Sequence, residues 1–417
     1  MRDSFVLTWR ALVRGHVLSL LLAATALAHA FLPAIVRGDG TEAGWREMFV
    51  RAVPGAAYAF IAVAALSCAC GLFAQERERF RLSLTVVRPA SAFGVACGKW
   101  LALCAASAAA LALSAALTAW RLSDAPRCMH HHQPRLPAVE DCAREALAAY
   151  LADPATPDVV KKAPKSAVLS LLANKESDRY DVVRPGETFA WPFDSALAEE
   201  GELVVRARFA TQLEMRAPFE GRFSFAGREA AVSHSTQSSL DVPLVASTNA
   251  ASAAGLAFAN TGKETVMLRP RRDLELLSPA DAFAWNLARA TLQMVSVVAL
   301  LAAFGTFLSA AVSRPVAIFT AFVALAAALM APSVVAQFPD ELDVSLMDRF
   351  GLAVSRAICF LTSAVGESEP VSDLAGGVCI EWAALARSLA VNVLALPAAL
   401  LAATAAIVRR RPLAGGQ

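Results

Sequence analysis

The chain has 417 residues, of which 57% are hydrophobic and only 18% charged, with a mean hydropathy of +0.49. That balance excludes an ordinary soluble globular domain. A net charge of +2 excludes a strongly basic nucleic-acid binder, so no nucleic acid is expected among its partners.

A helix rising 1.5 Å per residue needs roughly 20 apolar residues to cross a hydrocarbon core about 30 Å thick. Six stretches meet that requirement, at 17–36, 52–74, 100–120, 290–312, 315–338 and 388–408, and none contains Asp, Glu, Lys or Arg. The first has a second reading as a cleaved signal peptide, because Arg2, Arg10 and Arg14 precede it and Ala28-His29-Ala30 has small residues at cleavage spacing. Its apolar run continues to Val36, which suits a retained span better. Trp100 and Trp120 bracket the third stretch as interfacial aromatics do.

Positive charge near the span ends sets orientation. With the N-terminus inside, the cytoplasmic pieces hold Arg2, Arg10, Arg14, Arg77, Arg79, Arg81, Arg88, Lys99, Arg314 and Arg409 to Arg411. The opposite short loops hold Arg37, Arg46, Arg51, Arg349, Arg356 and Arg387. The bias predicts both termini in the cytoplasm and hence an even number of spans. The stretch 350–366 is short and contains Arg356, so it reads as an interfacial or re-entrant helix within the outer segment 339–387. For a chain of bacterial character, the expected location is the inner (cytoplasmic) membrane.

This topology divides the chain into three spans over 1–120, an extracytoplasmic domain over 121–285, and three more spans with a basic cytoplasmic tail over 286–417. In the domain, Val139, Ala143, Leu147, Tyr150 and Leu151 recur at helical spacing, and a proline-bearing linker follows at 153–158. The period then becomes two. Leu203, Val205, Ala207 and Phe209 share one parity, as do Phe219, Phe223 and Phe225. Turn signals at Arg184-Pro185-Gly186, Ala226-Gly227 and Asn260-Thr261-Gly262 separate such runs, which predicts a small antiparallel β-sandwich. The expected fold class is therefore an α-helical membrane protein with an inserted, mainly β domain.

Between the second and third stretches lies a charged, amphipathic loop, 75–99. It carries Glu76, Arg77, Glu78, Arg79 and Arg81, with Phe80, Leu82, Leu84 and Val86 as apolar positions, and Pro89 ends it. A basic loop that only marks topology would have similar composition. The pattern nevertheless resembles the permease subunits of type-2 ABC transporters, in the branch of gliding-motility and copper-processing permeases. That family has an acidic pair, a Gly-Thr-Leu, a proline and a Gly-Lys opening the third span. Glu76, Glu78, Leu82, Pro89, Gly98 and Lys99 occupy the matching positions, whereas Phe80 and Arg81 replace the usual Gly and Thr. The runs Ala303-Phe304-Gly305-Thr306-Phe307-Leu308-Ser309 and Ser313-Arg314-Pro315-Val316-Ala317, and Arg409 to Arg411 after the last span, look similar to the family too.

The resemblance implies a half-transporter that pairs with a second permease copy and docks through Glu76, Arg77, Glu78, Arg79, Arg81, Leu82 and Pro89 on cytoplasmic ATPases. ATP and Mg²⁺ would be bound by those partners, because residues 94–100 lack Walker A spacing and its Ser or Thr. No catalytic residue and no cofactor of its own is expected, and no nucleophile elbow surrounds His234. Spans without a buried charge favour lipid-like or hydrophobic cargo over ions. The alternative is a non-transporting anchor or mechanotransmitter that relays ATPase motion to the outer domain. Cys128, His130, His131, His132 and Cys142 form a Cys/His group of metal-ligand type. In an oxidising compartment, Cys128 with Cys142 and Cys359 with Cys379 are instead candidate disulfides.

Overall fold

The computed structural model describes residues 1–38, 42–78, 91–153, 165–199, 201–210, 219–234, 240–246, 255–337, 347, 349–356, 359 and 369–410. The chain divides into two compact units. One comprises Met1–Cys128, Asp281–Val334 and Ala353–Gln417; the other comprises Met129–Ala280 with Val335–Leu352. In chain order the described helices are α1 (Arg2–Arg14), α2 (Val17–Ile35), α3 (Glu42–Ala69), α4 (Ala74–Glu78), α5 (Ala92–Arg121), α6 (Val139–Ala152), α7 (Lys165–Ser177), α8 (Phe283–Ala311), α9 (Arg314–Gln337), α10 (Pro370–Ala375), α11 (Trp382–Leu389) and α12 (Leu396–Arg410). A π-helical stretch, Ala390–Ala395, joins the last two.

Six segments among the described residues are long and apolar enough to cross a membrane: Val17–Ile35, Gly44–Glu76, Ala92–Arg121, Phe283–Ala311, Arg314–Ala331 and Trp382–Arg410. They match the six apolar stretches in number and order. Several overrun the apolar cores, since a charged residue does not end a helix when a partner lies one turn away; Arg46 pairs with Glu42 at 3.3 Å and Arg51 with Glu47 at 2.9 Å. Of the expected interfacial stretch, residues 350–356 are helical and 360–366 lie outside the described residues.

Apolar packing gathers at two ends of the helical unit. The near end joins Leu12 of α1, Phe73, Trp100 and Leu103 of α5, Ala302 of α8, and Leu401 and Val408 of α12. The far end joins Leu21, Phe49, Val53, Leu122, Leu287, Leu374 and Ile380. Helices α2 and α5 thus run from near to far, and α3 and α8 run back. Helix α2 passes unbroken through Ala28-His29-Ala30 and turns Leu21, Thr25 and His29 inward, one helical turn apart. Small residues allow close approach: a Cβ on Gly305 of α8 would stand 2.7 Å from the Ala69 Cβ and 3.0 Å from the Leu66 carbonyl of α3. The sequence reading missed α1. It is amphipathic, burying Leu12 and stacking Phe5 on Trp9 while Arg10 and Arg14 stay exposed.

In the second unit, the alternating runs are strands with one buried parity. The strands are β1 (Met129–His132), β2 (Asp181–Val183), β3 (Thr188–Pro192), β4 (Leu203–Ala207), β5 (Phe219–Phe225), β6 (Arg228–His234), β7 (Leu240–Ala246), β8 (Gly255–Asn260), β9 (Val266–Leu268) and β10 (Leu274–Pro279). Leu203, Val205 and Ala207 of β4 face inward, as do Phe219, Phe223 and Phe225 of β5. Where this alternation predicts a sandwich of two stacked sheets, eight of the described strands form one continuous antiparallel sheet, ordered β1-β10-β4-β7-β6-β5-β8-β3, that curls about a single core. Among the described residues, β6 and β7 pair at Arg228–Ala246 and Glu229–Val245. Strands β2 and β9 make a separate ribbon. Phe209 anchors the core, with ring centroids 4.5 Å from Phe219 and 5.0 Å from Phe258.

The β5–β6 turn carries positive φ at both Ala226 (48°) and Gly227 (79°), a geometry that suits Asn-Gly and strains alanine. A Cβ on Gly221 would lie 2.3 Å from the Phe258 ring. Residues 129–280 produced alone should therefore be soluble and β-rich by circular dichroism. Within that domain Ala226→Asn should raise stability by about 1 kcal/mol, and Gly221→Ala should lower it by about 1–3 kcal/mol, both read by urea unfolding.

Candidate coupling site

The two described ends of the 75–99 segment meet at the near end of the helical unit. Glu76 sits on α4, and Lys99 lies two turns into α5, whose start is capped by Ser91 Oγ accepting the Gly94 N–H at 3.0 Å. The Lys99 ammonium meets Glu76 Oε1 at 2.5 Å, donates to the Leu72 carbonyl at 3.1 Å and lies 4.7 Å over the Phe73 ring. Leu72 and Phe73 belong to the turn between α3 and α4. That turn is in turn held by α8, because the Phe73 N–H donates to Ser309 Oγ at 2.9 Å. The Lys99 side chain is 6% exposed and that of Glu76 32%. Glu76 Oε2 is buried with no hydrogen-bond partner among the described residues.

This geometry gives physical content to two residues that the resemblance supplied. Gly98 lets α1 lie against α5, since a Cβ there would stand 2.5 Å from the Met1 carbonyl oxygen. Lys99 bridges α5 to the α4 end of the loop. Glu76 thus turns its carboxylate inward to Lys99, whereas the sequence reading has it meeting a partner. Arg77 and Glu78 continue α4 in backbone only, and Arg79, Arg81, Leu82 and Pro89 lie outside the described residues.

The expectation of spans without buried charge needs correction. The apolar windows began one residue after Lys99 and one after Arg289, yet helices α5 and α8 include both, and both are buried. At the far end Arg289 pairs with Asp281, donates through Nη1 to the Ile380 carbonyl at 2.7 Å and lies 5.1 Å from the Trp382 ring. Asn286 brackets the same segment, donating to the Val378 carbonyl at 2.7 Å and accepting the Ile380 N–H at 2.9 Å. Between the ends, the buried polar groups are neutral or a histidine. Ser296 of α8 is 2.8 Å from Ser388 of α11, which accepts from Asn392 in the π-helical stretch at 3.1 Å. His29 of α2 faces Thr118 of α5 at 3.2 Å. An open cavity of about 390 Å³ adjoins this bundle, lined by Tyr58, Val297, Pro370 and Val371 with Arg51 and Glu369.

The Cys/His group does not converge. Strand alternation on β1 places His130 and His132 opposite His131. His131 Nδ1 lies 2.7 Å from Glu275 Oε2, and His132 Nε2 lies 3.1 Å from Ser278 Oγ. Cys142 is on α6, beside a cavity that Tyr150 and Tyr180 also line. Among the described residues, no three His, Cys, Asp or Glu side chains are gathered to hold a metal ion. All eight cysteines are free thiols, and the Cys128 thiol donates to the Asp281 carbonyl at 3.2 Å, so the structure pairs neither Cys128 with Cys142 nor Cys379 with Cys359.

No protein-family model, no curated protein and no solved structure matches this chain.

Removing one partner of a buried ion pair strands the other charge. Glu76→Gln should cost roughly 3–5 kcal/mol because Lys99 has little access to water. Lys99→Met should cost less, since the carboxylate left behind is partly exposed, and the double variant should be more stable than Glu76→Gln alone. Thermal unfolding of the purified protein in detergent checks the order. A second expectation concerns acid. Burial pushes the Glu275 carboxyl up, but the His131 hydrogen bond and the charges of His131 and Arg206 outweigh it and hold the group below the usual carboxylate range. A depressed folded-state value contributes stability that is present above the unfolded value, about 4.3, and lost as pH falls through the folded one. The 129–280 domain should therefore lose stability below about pH 4 more steeply than its Glu275→Gln variant.

Proposed function

We propose that this chain is the membrane-spanning permease subunit of an ATP-binding-cassette transporter and takes its energy from separate cytoplasmic ATPase chains. The observation that carries the reading is the Glu76–Lys99 pair. It ties both ends of the 75–99 loop to α5 and, through Phe73, to α8, so that a force applied to the loop is delivered to the two most central helices. A loop that served only to mark topology would need positive charge and no such anchoring.

On this reading the near end is cytoplasmic, together with both chain termini, and the β-sheet unit lies outside the cytoplasm of a bacterial inner membrane. Six spans form half of a translocation path, so a second permease copy completes it. The cargo is lipid-like or hydrophobic. In support, the polar groups midway along the bundle are uncharged apart from the histidine, and the cavity between Tyr58, Val297 and Pro370 offers apolar walls with Arg51 and Glu369 beside them. The anchor reading, in which ATPase motion drives the β-sheet unit and nothing is transported, shares every feature of the near end. Measured flipping or efflux in proteoliposomes separates the two.

Reversing Arg77, Arg79 and Arg81 to Glu should abolish co-purification with the cognate ATPase and permease-stimulated ATP hydrolysis, because like charges would then face an interface built for opposite ones. Reversal of Arg37 and Arg46 should leave both signals unchanged. Retention of both in the loop variant would reduce those arginines to topology signals.

A further inference from the structure

We propose that Cys128 and Cys379 form a disulfide in the membrane-embedded protein, fastening the chain that leaves α5 to the chain that enters α11. The two residues stand 251 positions apart in sequence, yet one buried knot brings them together. Cys128 is fixed by Asp281, whose carbonyl accepts both its N–H at 3.0 Å and its thiol at 3.2 Å. Asp281 in turn pairs with Arg289. Cys379 is fixed from both sides, because Val378 and Ile380 are hydrogen-bonded to Asn286 and Ile380 also to Arg289. Both cysteines are buried in this knot: Cys128 is held by the Asp281 carbonyl, and Arg289, which pairs with Asp281, also bonds the carbonyl of Ile380 beside Cys379.

Burial pushes the Cys128 thiol up to about 12, with the Cys379 thiol adding to the rise. Since the thiolate is the reactive form, the folded pair is slow to react, and the bond is made while the chain folds. The oxidant is a protein or small-molecule disulfide of the external compartment. One cysteine thiolate attacks it and forms a mixed disulfide; the other displaces the oxidant's second sulfur. Two cysteine thiols and one oxidant disulfide thus become one cystine and two oxidant thiols, with both protons passing to the departing thiolates. The inference rests on the placement of the far end outside the cytoplasm.

Full-length protein in native membranes, blocked with N-ethylmaleimide before lysis and digested without reduction, should yield a peptide linking Cys128 to Cys379 that dithiothreitol removes. Cys128→Ser should make Cys379 available to the maleimide on denaturation, and Cys379→Ser should do the same for Cys128. Cys142→Ser and Cys359→Ser should leave the linked peptide intact. Alkylation of both Cys128 and Cys379 in wild-type membranes, or a link from Cys128 to Cys142, overturns the proposal, and neither result depends on a variant that folds. Diamide oxidation of the reduced, purified protein as it refolds from denaturant reads the pairing without regard to compartment. A 128–379 link there, with both thiols reduced in the membrane, overturns the bond together with the external placement; no link in either arm overturns the pairing itself.

Discussion

Two cations are buried among apolar helices, and the helical unit is arranged around answering them. An uncompensated ammonium or guanidinium in a low-dielectric interior costs several kcal/mol or more, so each must be met by a carboxylate and by carbonyl oxygens. Lys99 is met at the near end by Glu76, the Leu72 carbonyl and the Phe73 face; Arg289 is met at the far end by Asp281, the Ile380 carbonyl and the Trp382 face. Each constellation draws on two separated parts of the chain, residues 72–76 with 99 and residues 281–289 with 380–382. Satisfying the charge therefore fixes where those parts meet, which non-directional apolar packing leaves loose.

The contrast with the middle of the bundle is instructive. There the polar groups are hydroxyls, an amide and an imidazole, bonded to each other across helix pairs α8–α11 and α2–α5. Such contacts supply register at small cost. The π-helical stretch containing Asn392 inserts one wider turn beside them, a local irregularity that regular i to i−4 bonding would not produce. Gly305 against Ala69 holds α8 and α3 at near-contact distance on the near-end side.

Much of this was legible in the sequence. The six candidate spans are visible because a charge-free run of roughly twenty apolar residues is long enough to cross a bilayer and too apolar for the surface of a soluble fold. The strands β4 and β5 are visible because Leu203, Val205, Ala207, Phe219, Phe223 and Phe225 keep one parity, and the turns at Ala226-Gly227 and Asn260-Thr261-Gly262 carry their own chemistry. What could not be read is long-range pairing. The pairing of β6 with β7 leaves no mark in periodicity, so alternation pointed to two stacked sheets. Likewise, apolar windows stop at a charge by construction. They cut off Lys99 and Arg289 just where those residues begin to matter. For the coupling site, Glu76 and Lys99 were singled out by motif, but the partnership between them is a fact of three dimensions, and the docking role of residues 79–89 falls outside the described residues.

The near-end pair and the far-end knot are linked by shared helices. Lys99 is on α5, whose outgoing chain leads to Cys128; Ser309 and Arg289 are both on α8. A displacement of the 75–99 loop must move α4, and α4 cannot move independently of α5 and α8 without stranding the Lys99 charge. Helices are stiff along their length, so α5 and α8 carry that displacement to the Asp281–Arg289 knot. There α8 is joined to the segment entering α11 through Asn286 and Arg289, and the chain leaving α5 is held at Cys128 by the Asp281 carbonyl. Ion pairs and hydrogen bonds thus join α4, α5 and α8 at the near end, and α8 to the segment entering α11 at the far end. Both proposed modes of action, transport and mechanical relay, require that continuity, and the buried charges are what enforce it.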